Sequence, residues 1–537
     1  MRAGVDVVLA LCVVVLMTPQ ALATERWVPS QYPTIQSAID ACVDGDEVIV
    51  EPNTYTGDGN RDLDPNGKGI TVRSTEPNDP NVVAATIIDC EGDAYNPHRG
   101  FLFHSDEDAN SVVAGLTITN GRADYGGGIF CFESSPTITR CVITGNVAYT
   151  TMNLGLGGGV FLGGSDPKIT HCTIGGNSAY QGGGICALGQ VTIAHCTISQ
   201  NVADDGGGLF CQGDSTLIMN CTIAGNSAGA SGDHGEGGGI WCEDYSTLIM
   251  NCTITGNTAS DYGEGGGIWI TSVSSTIANS TVTANTSDRD GGGIYVADGG
   301  DPMAINCVLW GNTAAEHGHE IYLEHEASTI TVLYSDVEGG PNAVYVCQQC
   351  ALFGDPNTNI DADPLFVDPN GPDGDPNTWQ DNDYHLSGGS PCINAGDPNG
   401  DYTGQTDIDG EPRVMLGRVD MGSDEYPGYT LTLKLKDPGP SVVEIEPNDP
   451  NWPAFAYPPG TELTLTAVPG GDKSFNKWKV WDAVDPNIIT IDTNNPISIV
   501  MSADRKVKAV FKCGGGIEQA VPLLMVFGLL VVLGRRR

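Results

Sequence analysis

Residues 237–259 read GGGIWCEDYSTLIMNCTITGNTA. A Gly triplet and an apolar residue are followed, after a variable stretch, by a Cys-Thr-Ile run that closes on Asn. The phrase recurs along the chain. Its triplets begin at Gly126, Gly157, Gly182, Gly206, Gly237, Gly265 and Gly291, at spacings of 31, 25, 24, 31, 28 and 26 residues. Its closing residues are Asn146, Asn177, Asn201, Asn226, Asn257, Asn285 and Asn312. Self-similarity at this period belongs to solenoids, arrays or propellers. Each repeat holds two short β-type runs and no segment of helical period, which excludes helical solenoids, and propeller blades need longer repeats. The expected fold is all-β: a parallel β-helix with one repeat per coil, followed by a small β-rich domain.

Stacking turns each repeat position into a column, with coils about 4.8 Å apart. Ile129, Val160, Ile185, Leu209, Ile240, Ile268 and Ile294 are expected to line the interior. The closing Asn residues suit an internal ladder in which side-chain amides bond along the stack. The Gly triplet suits a tight turn with positive φ. The two spacings of 31 carry extra residues, 149–156 and 229–236, which read as loops on one edge.

The phrases YGGGIFC, GGGIWC and NCTITGNTA resemble right-handed parallel β-helix proteins of the pectate-lyase-like superfamily. They are also similar to the Gly-Gly-Ala-Ile repeats of polymorphic outer-membrane proteins. The resemblance implies a fold and leaves the activity open, because this fold hosts lyases, hydrolases, adhesins and spacers. The mature opening, RWVPSQYPTIQSAIDACVDGDEVIVEPNTY, resembles the usual start of such proteins, where an amphipathic helix with Ile35, Ile39 and Cys42 on one face covers the first coil. Strands are expected around residues 47–50, 70–73, 86–88 and 112–118. From residue 313 the repeats degrade. The series through Tyr426, including DYHLSGGSPCINAGDP and DIDGEPRVMLGRVDMGSDEY, resembles the closing coils of β-helix proteins with a choice-of-anchor-Q type domain. The resemblance places the β-helix at residues 24–426, with core repeats at 126–312 and closing coils at 313–426.

Residues 428–512 change style, alternating apolar and polar residues at period two. They resemble the small β-rich repeat of internalin-type surface proteins.

Both ends carry export signals. Arg2, an apolar run at 7–17 and Ala21-Leu22-Ala23 before Thr24 form a secretory signal peptide, residues 1–23, cut after Ala23. An uncleaved anchor is the other reading. Residues 513–537 hold Cys513, Gly514, Gly515 and Gly516, an apolar run at 520–533 and Arg535–Arg537. The run is shorter than the roughly 20 residues of a membrane helix. The arrangement resembles tripartite sorting signals. It implies a sorting protease or transpeptidase acting near Cys513, and contact with the membrane through the tail; a retained tail anchor, with Cys513 only closing the preceding domain, is the other reading.

The 537 residues carry 67 acidic and 24 basic side chains, a net charge of −43. Such a surface repels nucleic acid and anionic lipid and favours cations or a saline exterior. Acidic residues crowd the turn before the triplets: Asp124, Asp204, Asp205, Asp233, Glu236, Asp261, Glu264, Asp288 and Asp290. Stacked, they form a carboxylate edge. Asp124, Asp205, Asp233, Glu236, Asp261, Glu264 and Asp290 are the candidate ligands, because oxygen-rich turns favour Ca²⁺. A solvated acidic edge is the alternative. The stretch at 401–410 suggests a Ca²⁺ loop only loosely, lacking EF-hand spacing.

Cysteines fall ten apart in Cys131/Cys141, Cys186/Cys196, Cys211/Cys221 and Cys242/Cys252, with Cys172 and Cys307 besides. Strands facing each other across the core are too far apart for disulfides, which favours buried thiols. Cys347 and Cys350 read as a local pair.

Catalytic signatures are sparse. Between Gly121 and Asn312 the basic residues are Arg122, Arg140, Lys168 and Arg289, none in a lyase motif. Asp204-Asp205 stands alone where a glycosidase needs spaced carboxylates. His171, His195 and His234 read as turn residues at unlike places in their repeats. The expected function is an exported, surface-anchored β-helix protein for adhesion, glycan contact or spacing, with an extracellular glycan or surface protein as partner. The alternative is a polysaccharide lyase or hydrolase. No cofactor other than Ca²⁺ is expected.

Overall fold

A computed structural model describes residues 23–149 and 155–513, apart from 165, 214, 233, 244–245, 272–273, 326, 343, 347–350, 354–356, 375–377, 437–439, 447–455, 458–460, 482–488 and 502–504. Two compact units emerge, one carrying the coils and ending at Glu425, the other a small domain beginning at Tyr426.

The first unit is a parallel β-solenoid. Its strands form sheets of thirteen, eleven and ten strands among the described residues, named here sheets I, II and III. One coil shows the logic. Ile240–Cys242 lies in sheet III, Thr247–Met250 in sheet I, Thr253–Thr255 in sheet II, and Thr258–Ala259 in a short sheet before the next triplet. The second β-type run of each repeat is therefore two strands. Asn251, at φ 54°, bends the chain from sheet I to sheet II. The same bend falls at Arg140, His171, His195, Asn220, Asn279 and Asn306, all with φ between 48° and 55°. Likewise, the run expected at 112–118 breaks at Gly115 into Val112–Ala114 and Thr117–Thr119.

The triplet works by two mechanisms. Gly237 takes φ 65°, where a Cβ would stand 2.4 Å from the Ile240 carbonyl oxygen. Gly238 and Gly239 meet the coil above: a Cβ there would lie 2.5 and 2.6 Å from the carbonyl oxygens of Gly266 and Gly267.

The interior column of Ile129, Val160, Ile185, Leu209, Ile240, Ile268 and Ile294 is fully buried. At the Asn turn, Asn226 donates from its backbone N–H and from Nδ2 to Asn257 Oδ1, at 3.0 and 2.9 Å. The same two bonds run from Asn146 to Asn177, Asn201, Asn226, Asn257, Asn285 and Asn312 in turn. A second ladder runs where sheet I turns into sheet II. The N–H groups of Cys141, Cys172 and Cys196 each donate to the sulfur of the next coil's cysteine at 3.4 Å, and Ser280 and Ser335 hydroxyls continue the pattern. The described cysteines of the solenoid are buried free thiols. Cys186 does not share a column with Cys131, Cys211 and Cys242. It sits one position earlier, between Phe161 and Phe210 on the outer face of sheet III. Cys347 and Cys350 lie outside the described residues.

Helix α1 (Ile35–Ala41) covers the first coil. Thr34 and Ser37 form a capping box, and Ile35, Ala38 and Ile39 are buried. Helix α2 (Pro80–Ala85) was not legible as a periodic segment; it starts on the Asp79 cap with Pro80 in its first turn.

The far end departs from the expected closing coils. The last stacked strand of sheet I is Ala351–Phe353. Residues 361–374, 378–414 and 418–425 turn back along the outside as a strap over earlier coils. Asn220 and Asn251 donate to the Thr406 carbonyl at 3.2 and 2.7 Å. Thr255 donates to the Tyr384 hydroxyl at 2.8 Å, Thr253 and Thr281 bond Ser423, and Asn306 donates to the Tyr402 hydroxyl.

The second unit packs a five-stranded against a three-stranded sheet around Trp478, Phe511, Leu463, Leu465 and Met501. Tyr429–Lys436 and Arg505–Cys513 pair in parallel. Among the described residues no helix is long and apolar enough to cross a membrane. The apolar runs at 7–17 and 520–533, with Gly514 and Gly515, lie outside the described residues. Cys513 ends the last strand.

Candidate functional site

Immediately before each triplet lies one residue per coil, bridged in parallel to its counterpart: Tyr125, Leu156, Gln181, Asp205, Glu236 and Glu264 pair successively, and Asp290 pairs with His317. Four of the expected carboxylates, Asp205, Glu236, Glu264 and Asp290, therefore stand in one row. Leu156 and Glu236, read from the spacing as loop residues, belong to the coils themselves. Asp124 and Asp261 are exposed beside the row and outside its register. Asp233 lies outside the described residues. Asp204 is buried and accepts from the Ser231 N–H at 2.6 Å, which makes it a turn cap.

A row of outward aromatics on sheet III runs alongside. Phe210, Trp241, Trp269, Tyr295, Tyr322 and Tyr345 occupy matching positions. Their rings stack with centroids 4.1–6.5 Å apart and planes within 11° of one another. Within this stack the ring faces cover each other, so the inner rings are not free to lie flat on a sugar. The signal was available in sequence, since the residue after each interior Ile or Leu repeats at the coil period.

The two rows interlock. Trp241 Nε1 donates to Glu236 Oε2 at 3.0 Å. Arg289 Nη1 donates to Glu264 Oε1 at 2.7 Å, and its Nε lies 3.5 Å from Asp290. Tyr295 favours the charged form of Glu264, and His317 Nδ1 stands 3.1 Å from Asp290. Gln181 Nε2 donates to Asp205 at 3.1 Å. Burial pushes the Glu236 carboxyl up to about 7, helped by the charges of Asp205 and Glu264. Burial also raises Glu264, while Tyr295 and Arg289 pull it back. A row of like charges can persist here because donors sit between its members. The exposed carboxylates on the outer rim of the row, Asp124 and Asp261, lie on coils that are not adjacent and do not gather with Asp205 into one site.

Sequence reading missed two features. His171 and His195 share a place in their repeats, the bend before the buried cysteine, and their rings stack at 4.8 Å. They are turn residues of one column, not of unlike places. Glu320 replaces the third glycine of a degraded triplet, and both its oxygens accept from Asn312, from the backbone N–H at 3.1 Å and from Nδ2 at 2.5 Å. It thereby ends the Asn ladder. Burial raises its carboxyl to about 8. A polar cavity of about 440 Å³, lined by Asp89, Glu91, Asn120 and Arg122 among others, lies away from the acidic row.

No curated protein matches the chain. The crystal structure of pectate lyase Pel9A aligns over 72% of this chain and 90% of that one, at 17% identity and a TM-score of 0.40. The profile described as right handed beta helix region matches residues 38–207, 153–309 and 207–361. These matches overlap to span more than half of the chain, which belongs to the right-handed β-helix family.

Proposed function

We propose that this is an exported, envelope-anchored β-helix protein whose lateral surface contacts extracellular glycan or a surface protein, without catalysing a reaction. The observation that supports this reading is the interlocked edge. Its carboxylates are engaged by Trp241, Arg289, Tyr295 and His317, so they act first as structure. The charge of −43 supports an exterior location and argues against nucleic acid as partner. Signal cleavage after Ala23 and processing near Cys513 complete the proposal. The test is a glycan-array and cleavage screen of purified residues 24–512. Binding without new reducing or unsaturated ends is expected; released oligosaccharide would refute the non-catalytic reading.

One arrangement favours a second reading, a polysaccharide hydrolase. Glu236 and Glu264 stand side by side on adjacent coils, the first held up to about 7 and the second paired with Arg289. Two carboxyls in unlike environments are what acid-and-nucleophile chemistry requires. If the screen detects cleavage, Glu236→Gln and Glu264→Gln should each abolish it.

A further inference from the structure

The strap brings a histidine and several carboxylates together from three separate stretches. His385 lies on Asp383–Leu386, Asp409 in the turn after Asp407, and Asp424 near the end of the strap. One ligand atom each from His385, Asp409 and Asp424 lies within 4.8 Å of the others. His385 Nε2 stands 2.6 Å from Asp409 Oδ2, and Nδ1 stands 2.5 Å from Asp383 Oδ1.

We propose that His385 Nε2 and the Asp409 and Asp424 carboxylates form a binding site for a divalent cation of the zinc class, which staples the strap together. The chemistry of the donors selects the metal. One imidazole with two carboxylates suits Zn²⁺, whereas Ca²⁺ and Mg²⁺ prefer oxygen alone. Asp383 completes the set from behind. A carboxylate accepting from Nδ1–H fixes the tautomer, and a metal would take the place of the proton through which Nε2 now meets Asp409 Oδ2.

The frame is independently braced. Asp424 is buried and accepts from the Leu386 N–H at 2.9 Å. Asp407 accepts from the N–H groups of Asp409, Glu411 and Glu425, tying the turn to the strap's end. Tyr384 and Ser423, next to two of the ligands, both dock onto the coils beneath. The cluster also carries excess negative charge: Asp407 and Glu411 add to Asp383, Asp409 and Asp424 around one imidazole. Asp409 is half-exposed, which gives an ion its route in.

Two other His-carboxylate groups compare poorly. At Asp290, Glu316 and His317 the Arg289 guanidinium already neutralises Asp290. At Asp298, Glu324 and His325 the imidazole stands 4.0 and 3.7 Å from its carboxylates, with the Asp298 side chain 73% exposed.

The test titrates the metal-stripped full chain with Zn²⁺, Co²⁺ and Ca²⁺. It follows melting temperature, calorimetric stoichiometry and the Co²⁺ visible spectrum. One tight Zn²⁺ equivalent, a higher melting temperature and Co²⁺ bands of low coordination number are expected. His385→Ala should abolish all three. Asp383→Asn should weaken binding at least about tenfold, as second-layer partners do. Asp409→Asn keeps the test decisive should His385→Ala fail to fold. Undiminished Zn²⁺ binding in these variants, its loss in His317→Ala/His325→Ala, a response to Ca²⁺ alone, or no binding at all would overturn the assignment.

Discussion

The Asn turn and the acidic edge are both columns of one polar residue per coil, stacked at the same spacing, and they solve opposite problems. An amide donates and accepts, so each Asn satisfies the next and the column can repeat without other parts. A carboxylate only accepts, so repetition on the edge works only where Trp241, Arg289, Tyr295 and His317 supply donors between members. Self-complementary groups can form a ladder; like charges need a second, interleaved column. The join between the two rules is Glu320, an acceptor placed where the ladder has run out of amides.

The largest expected effect breaks the ladder in its middle. Asn226→Ala removes the Nδ2 bonds to Asn257 and to the Ile198 carbonyl and both bonds from Asn201, leaves the backbone bond to Asn257, and orphans buried groups on both sides. A loss of about 3 kcal/mol is expected by denaturant unfolding. A loss below about 0.5 kcal/mol would mean that water replaces the amide.

The next effect sharpens the junction. A carboxyl raised to about 8 in the fold, against an ordinary value of 4.5, favours folding fully below pH 4.5. That contribution is lost as pH rises towards 8. Melting temperature should therefore fall across this window, and Glu320→Gln, which keeps an acceptor without the charge, should flatten the slope. A slope unchanged in the variant would place the proton elsewhere, with Glu236, at about 7, the next residue to test.

The smallest effect concerns the edge. Arg289→Ala should cost about 1 kcal/mol, less at high salt, because the side chain is half-exposed. In that variant Glu264 and Asp290 lose their cation, so millimolar Ca²⁺ should raise the melting temperature more than in the parent. Equal responses would show that any Ca²⁺ effect arises elsewhere.

The columns were legible because each contributes one residue per coil: the triplets and the interior Ile row align on Gly, and the Asn row, 19 to 21 residues after the start of each triplet, shows through because the residue is the same in every repeat. Features that follow a different origin were obscured. His171 and His195 line up only when the repeats are aligned on the cysteine that follows each, Cys172 and Cys196, because the arm between triplet and cysteine varies in length. Glu236 looked like loop because its neighbours are an insertion. The strap was illegible for another reason: it has no period, and its bonds to Asn220, Asn251, Thr255 and Asn306 span 96 to 187 residues. Its carboxylates could be counted in sequence, but which of them meet His385 depends on a path that only the fold defines.

That returning strap changes how the solenoid can come apart. A stack whose coils touch only their neighbours frays from its open end one rung at a time, each rung opening at its own local cost. A splint fastened at Asn220, Asn251, Thr281 and Asn306 removes that freedom. The terminal rungs cannot peel away while it stays attached, and detaching it exposes several rungs together. Fraying becomes an all-or-none event over this stretch, which gives a stack of repeats the cooperative resistance to proteases of a domain without repeats.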